Sequence, residues 1–233
     1  MDWFQCCQKT KTSHKRREEN RGHFGKNTLT KPFIRKSKQV ARQFGRGLGR
    51  LYVSAICRVL GRPFVVKRFP RFARRVGAAV VLESLGARIS YPVHIEHDIR
   101  IQNAAGGRCR NLRIGKHAYI GPQCLFDLAA SIVIGDEVAL SARTCIVTHA
   151  DVGQRPLQKQ YPRQEGDVTI CHGAWIGVNT TVLHGVTIGE CTVVGAMSMV
   201  NRDLPARAVC FGMPCKIFKM IECAPHIGEK QND

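Results

Sequence analysis

The chain predicts a β-solenoid, short flat strands wound into stacked triangular coils, and three observations carry that expectation. Aliphatic residues recur every six positions at Ile170, Ile176, Val182, Ile188, Val194 and Val200. Earlier runs keep the same spacing at Ile89, Ile95 and Ile101, at Ile114, Ile120 and Phe126, and at Ile134, Leu140 and Ile146. Two positions before each beat from Ile114 on runs a mostly small or β-branched track: Leu112, Ala118, Cys124, Ile132, Val138, Thr144, Val168, Ala174, Thr180, Val186, Thr192 and Ser198. Glycine follows several beats, at Gly177, Gly189 and Gly195. An amphipathic helix repeats at three and four, and a half-buried strand at two. A strict six fits neither. It fits inward-pointing beats on short strands, with three faces making one coil of roughly eighteen residues. The glycine after a beat is expected to let the backbone turn.

The elements follow in order. Residues 1–35 are polar and charged with few aliphatics, so a disordered basic tail is expected. Residues 36–82 read as a basic amphipathic helical segment. Its stripe is Val40, Phe44, Leu48, Leu51, Ala55 and Val59, with Arg42, Arg46, Arg50 and Arg58 mostly on other faces. Gly45, Gly47 and Gly49 weaken that helix, each by about 1 kcal/mol relative to alanine. Residues 83–216 form the solenoid of about five coils, whose contacts stay between neighbours. Its register slips between Ile101 and Ile114 and again between Phe126 and Ile134, so extra residues must bulge out there. Residues 149–167 are polar and carry Gly153, Pro156, Pro162 and Gly166, the pattern of a loop thrown out of a coil, and long loops of that kind are often functional. Residues 217–233 are expected to be a short tail.

Charge divides the chain. Of a net +19, residues 1–80 hold 21 Lys and Arg against 3 acids, and residues 81–233 hold 15 against 14. The solenoid is nearly neutral and the extension polybasic. A basic amphipathic helix suits an anionic membrane surface. Nucleic acid would use the same charge, but no base-reading module accompanies it, so no specific nucleic-acid partner is expected. The 11 cysteines show no framework spacing, and Cys124 lies on the inward track, so buried free thiols in a reducing cytoplasm are expected. Residues 1–30 contain no apolar stretch of the secretory kind. Leu51–Val66 is interrupted by Arg58 and Arg62 and is short of a membrane span. The expected location is cytoplasmic, with peripheral contact to the inner face of the membrane.

His149 is the strongest catalytic candidate. It leaves the coil three residues after the Ile146 beat, where the loop begins. An imidazole titrates near neutrality and suits a general base that takes the proton of an attacking hydroxyl. Asp151 could orient it, as could a backbone carbonyl. Trp175 immediately precedes the Ile176 beat and should point outward, where an indole needs cover from substrate, a neighbouring subunit or its own loop.

The tandem hexapeptides, Thr148-His149-Ala150-Asp151, the loop, Gly173-Ala174-Trp175-Ile176-Gly177, then Val194-Gly195-Ala196 and Gly212-Met213-Pro214-Cys215-Lys216 resemble the hexapeptide-repeat acyltransferases. The similarity is to their maltose/galactoside and polysaccharide O-acetyltransferase branch and covers roughly residues 85–221. The resemblance implies a left-handed parallel β-helix, a homotrimer, acetyl-CoA as donor and a sugar or glycan hydroxyl as acceptor, in polysaccharide or lipopolysaccharide biosynthesis. It implies His149 as general base with no acyl-enzyme. Trp175 would flank the acetyl-CoA arm, and Val178 would offer its N–H to the thioester oxyanion. Gly195 and Ala196 would let the pantetheine arm lie close, and Arg202 and Lys216 would meet the phosphates. Gln123, Asp127 and Arg155 resemble positions that hold sugar hydroxyls. The histidine and tryptophan of one site may then come from facing subunits. Acetylation of an antibiotic of the chloramphenicol or streptogramin type uses the same chemistry and stays open. A γ-type carbonic anhydrase shares the solenoid, and Val182-Leu183-His184-Gly185 resembles its His-Gly segment. Its zinc needs histidines five apart, and Asn179 stands five before His184 while His172 and His117 are out of step, so no metal is expected. A non-catalytic scaffold would not require His149 and Trp175 together.

Overall fold

The computed structural model describes residues 31–222, with side chains from residue 45. The chain winds into a left-handed parallel β-helix entered through four helices: α1 (Lys31–Leu60), α2 (Arg62–Lys67), α3 (Phe69–Val76) and α4 (Ala78–Ser84). Three parallel sheets form the faces of a triangular prism. The first face stacks Arg88–Ile89, Leu112–Ile114, Ile132–Ile134, Val168–Ile170 and Thr187–Ile188. The second carries His94–Ile95, Tyr119–Ile120, Ala139–Leu140, Trp175–Ile176, Val193–Val194 and Ala208–Phe211. The third carries Arg100–Gln102, Leu125–Asp127, Cys145–Ile146, Thr181–Val182 and Met199–Val200.

Register keeps each beat above the last: Ile114 pairs with Ile134, Ile134 with Ile170, and Ile170 with Ile188. From Leu112 on both inward tracks are sealed, with Leu112, Ile120, Cys124, Phe126, Thr144, Ala174, Thr180 and Val182 all at 0% exposure. The small-residue track stays small because six inward side chains per coil must share a narrow prism. Its hydroxyls are satisfied locally: Thr144 donates to the Ser141 carbonyl at 2.8 Å and Ser198 to that of Gly195 at 2.8 Å.

The expected turn role of the glycines after each beat is corrected. Positive φ falls three residues before a beat instead, at His117, Gln123, Glu137, Arg143, Asn179, Cys191 and Met197, or at Gly173 and Gly185. Glycine after a beat answers to stacking. A Cβ on Gly177 would lie 2.5 Å from the Ala196 nitrogen, and one on Gly115 would lie 2.5 Å from that of Asp136. The neighbouring coil passes too close for any side chain.

The helices close the first end. Val81 and Leu82 of α4, with Leu85 just after it, are buried, and α4 meets the strands Arg88–Ile89 and His94–Ile95. Gly49 lets α1 approach closely, since a Cβ there would stand 3.1 Å from Val80. Helix α1 begins at Lys31, inside the segment expected to be unstructured; residues 1–30 lie outside the described residues. At the other end the chain reverses. Lys216–Met220, expected to belong largely to a tail, pairs antiparallel with Ala208–Phe211. Cys57, Cys109, Cys124, Cys145, Cys171, Cys210 and Cys215 are free thiols, whereas Cys191 takes part in a disulfide, so free thiols are not universal. Among the described residues no helix is long and apolar enough to cross a membrane.

Candidate active site

Extra residues leave the prism on three successive coils, and each time at the corner between the third face and the first. They are residues 103–111, 128–131 and 147–167. The two register slips and the loop are therefore one feature, stacked along one edge. The first excursion docks on α2: a Cβ on Gly107 would meet the Arg62 carbonyl carbon at 2.6 Å. The second carries Leu128 inward. The third is a hairpin arm, in which His149–Ala150 pairs antiparallel with Gln164–Glu165 and His149 stands opposite Glu165.

The stacked corner assembles a polar cluster in a chain otherwise packed with aliphatics. Asp127 ends its strand with 2% exposure. Its Oδ1 accepts from Asn103 Nδ2 at 2.6 Å, from the coil below. Its Oδ2 accepts from the Thr148 amide at 2.9 Å and lies 2.5 Å from His149 Nδ1. The Thr148 hydroxyl donates to the Asp127 carbonyl at 2.8 Å and accepts the Ala130 N–H at 3.0 Å. Burial works to raise the Asp127 carboxyl, but hydrogen bonds from Asn103, His149 and the Thr148 amide outweigh it and hold the group below its ordinary value. An ionised carboxylate only accepts, so Nδ1 of His149 carries the hydrogen, and in the neutral ring the lone pair is on Nε2. The imidazole side chain is 22% exposed.

Asp127 lies beneath His149, with Oδ2 engaged by Thr148 and His149 and Oδ1 by Asn103 alone. Asp151 does not orient His149. It accepts from the Gly153 amide at 2.7 Å and from Arg163 at 3.0 Å. Arg163 also grips Glu165 at 2.6 Å, stapling the arm across its base. Glycine is needed where the arm returns, because a Cβ on Gly166 would meet the Gly185 nitrogen at 2.6 Å.

The other expected residues lie elsewhere on the chain. Trp175 is 47% exposed on the second face, between Ala139 and Val193, with Nε1 donating to Ser141 Oγ at 3.2 Å. Val178, Ala196 and Gln123 occupy the corner between the second and third faces on different coils. Val178 is half-buried and Ala196 and Gln123 are exposed. The Val178 carbonyl accepts the Met197 N–H at 2.8 Å. Gly195 has a packing reason of its own, since a Cβ there would stand 2.8 Å from Phe211 Cβ. Arg202 and Lys216 are exposed cations on the last turns. Arg155 lies on the arm, its guanidinium donating to the Val152 carbonyl at 2.7 Å. One chain therefore brings together Asp127 and His149, and leaves Trp175 on a different face of the prism.

Asn103 and Thr148 are the residues that sequence reading passed over for this cluster. Thr148 sits directly beside His149. Asn103 left no signal, because the slip after Ile101 hides its alignment with Asp127. Asp127 itself did leave one: it is an acid immediately after the Phe126 beat, where neighbouring beats are followed by glycine or small residues.

Residues 167–202 match the family model described as bacterial transferase hexapeptide (six repeats). Galactoside O-acetyltransferase of Escherichia coli (strain K12) is 29% identical over 111 residues, which cover 48% of this chain and 55% of that protein. The crystal structure of a maltose O-acetyltransferase from Clostridium difficile 630 superposes with a TM-score of 0.59 at 27% identity, covering 70% of this chain and 88% of that one. The chain carries hexapeptide repeats and is similar to the galactoside and maltose O-acetyltransferases. It spans about half the length of the curated relatives it matches.

Proposed function

We propose that this protein transfers the acetyl group of acetyl-CoA to a hydroxyl of a sugar. The observation that carries this is the His149–Asp127 pair at 2.5 Å. Asp127, held ionised, fixes the ring and its tautomer, so Nε2 of His149 faces outward as a base. Nε2 takes the proton of the acceptor hydroxyl as its oxygen attacks the thioester carbonyl. Charge builds on the carbonyl oxygen, where the backbone N–H of Val178 is our candidate donor. On collapse the C–S bond breaks and the protonated His149 returns its proton to the departing thiolate. Atoms and charge balance with no acyl-enzyme.

The donor is a long anionic thioester, and the residues offered to it fit in kind: Ala196 is small and exposed, and Arg202 and Lys216 are exposed cations. Trp175 would lie against its reactive end. His149 and Trp175 stand on different faces of one chain, so a site that uses both requires a second subunit, and the assembly we propose is a homotrimer. Gln123, Asp127 and Arg155 are our candidates for acceptor contact. The acceptor we favour is a sugar of a polysaccharide or lipopolysaccharide precursor, met at an anionic membrane surface through the basic N-terminal segment.

An acceptor screen with acetyl-CoA and a thiol-release readout tests the reaction, using galactosides, maltose, lipid-linked glycans and chloramphenicol. Thiol release with sugars and loss of it in His149→Ala are expected. Release with chloramphenicol alone would replace the sugar reading with the antibiotic one.

A further inference from the structure

The helical segment leaves an apolar surface uncovered. Between α1 and the α2–α3 stretch lies a groove of about 590 Å³, floored by Ile56, Phe64 and Phe72 with Tyr52 and Leu60 at its edge. Arg68, Arg71, Arg74 and Arg75 rim it, and all four are exposed. Arg68 lies over the Phe64 ring at 5.1 Å, and Arg75 donates to the Tyr52 hydroxyl at 2.9 Å. Helical periodicity places Leu48, Leu51, Ala55 and Val59 on the adjoining flank of α1. Leu48, Leu51 and Val59 are 67%, 69% and 81% exposed. Residues 45–87 carry nine basic side chains and one acid, Glu83, and Arg50 already holds Glu83 at 2.7 Å. Residues 45–87 therefore offer the rim no other carboxylate.

We infer that this groove is a seat for an acidic phospholipid bilayer, its arginines on lipid phosphates and its floor and flank in the acyl boundary. Two features decide between occupants. The rim charge is of one sign, so a second copy brought face to face would oppose arginine to arginine. The exposed aliphatic flank of α1 gives nothing to a nucleic acid, whereas an interfacial helix buries such a flank about 5–10 Å deep beside the headgroups. Guanidinium groups engage phosphate through two parallel N–H donors, which suits them to the rim. The inference rests on the surface-contact reading above and narrows it from the basic N-terminal segment to one built site, where each arginine adds an increment of attraction.

The test uses the full chain and vesicles of phosphatidylglycerol with phosphatidylcholine in equal amounts, read by co-sedimentation. Arg71→Gln/Arg74→Gln should weaken partitioning about 30-fold, and Leu51→Ser/Val59→Ser should weaken it separately. Removal of residues 1–30 should leave most of the binding, and thiol release with a soluble sugar should be unchanged in both groove variants. Binding that survives the groove variants but vanishes on removing residues 1–30 would overturn the groove and keep surface contact. Equal binding to pure phosphatidylcholine, tighter binding to a random single-stranded oligonucleotide, or dissociation of the oligomer by the arginine pair would overturn the inference outright. A failure of thiol release in the unaltered protein would instead strike the transfer reaction, leaving the vesicle result standing.

Discussion

The solenoid and the helical segment that caps it use glycine in opposite ways. In the solenoid a glycine after a beat is a spacing requirement: the next coil's backbone occupies the volume a Cβ would need, as at Gly177 against Ala196. In α1, Gly45 and Gly47 face open space within 4 Å and only loosen the helix. The same contrast runs through charge and closure. The solenoid satisfies itself coil on coil and is nearly neutral, while the helical segment is strongly basic and leaves aliphatic side chains uncovered. A nearly neutral prism serves as a scaffold, and the loosened, charged helix is the part we propose as a contact surface.

Four perturbations break or sharpen this contrast, in descending order of effect. His149→Ala strikes the solenoid at the corner where we place the chemistry. It should cut acetyl transfer roughly 10²–10⁴-fold with the oligomer intact by light scattering; near-normal turnover would end the base assignment. Gly177→Ala should cost about 1–3 kcal/mol in denaturant unfolding, and an unchanged midpoint would mean that the coils can spread. Asn103→Ala should lower turnover roughly ten-fold and change its pH dependence. The Asn103 hydrogen bond helps to hold Asp127 below its ordinary value. Without it that carboxyl rises, so activity should fail at a higher pH on the acid side; a uniform loss at every pH would indicate a merely structural role. The linked stability has the same sign. A depressed carboxyl stabilises the fold above its unfolded pKa of about 3.9, and that contribution is lost as pH falls through the lower folded value. Gly47→Ala, the smallest effect, should stabilise by about 1 kcal/mol; a loss would show that this part of α1 needs its looseness.

The proposed intersubunit site has its own test. His149→Ala and Trp175→Ala, each impaired alone, should recover activity when co-assembled, because a mixed interface can pair an intact histidine with an intact tryptophan. No recovery in mixed oligomers would sink the shared-site reading.

Much of the scaffold was legible because a strict period exposes every inward position: Ile114, Ile134, Ile170 and Ile188 could be aligned on one face before any coordinate. His149 was legible because it leaves the period at a loop. Asp127 was legible as a polar residue near the site, but sequence does not show that Asn103, Thr148 and His149 converge on it. That convergence depends on three excursions stacking at one corner, and their unequal lengths conceal the stacking. The glycine roles were misassigned for a similar reason: a glycine demanded by a neighbouring coil and one demanded by its own φ look alike in a single chain.

The reversal at the far end has a consequence for polymerisation. A parallel stack can in principle go on adding rungs, since its last strand presents unpaired N–H and C=O groups to any passing strand. On the second face that growing end is taken by Lys216–Met220 running the other way, so the next coil of a parallel stack no longer finds its register. Lys216 and Lys219 place charge on the new edge. The hairpin therefore gives this face of the solenoid a finite length, and it separates a discrete molecule from the end-to-end fibre that the same repeat, left open, would template.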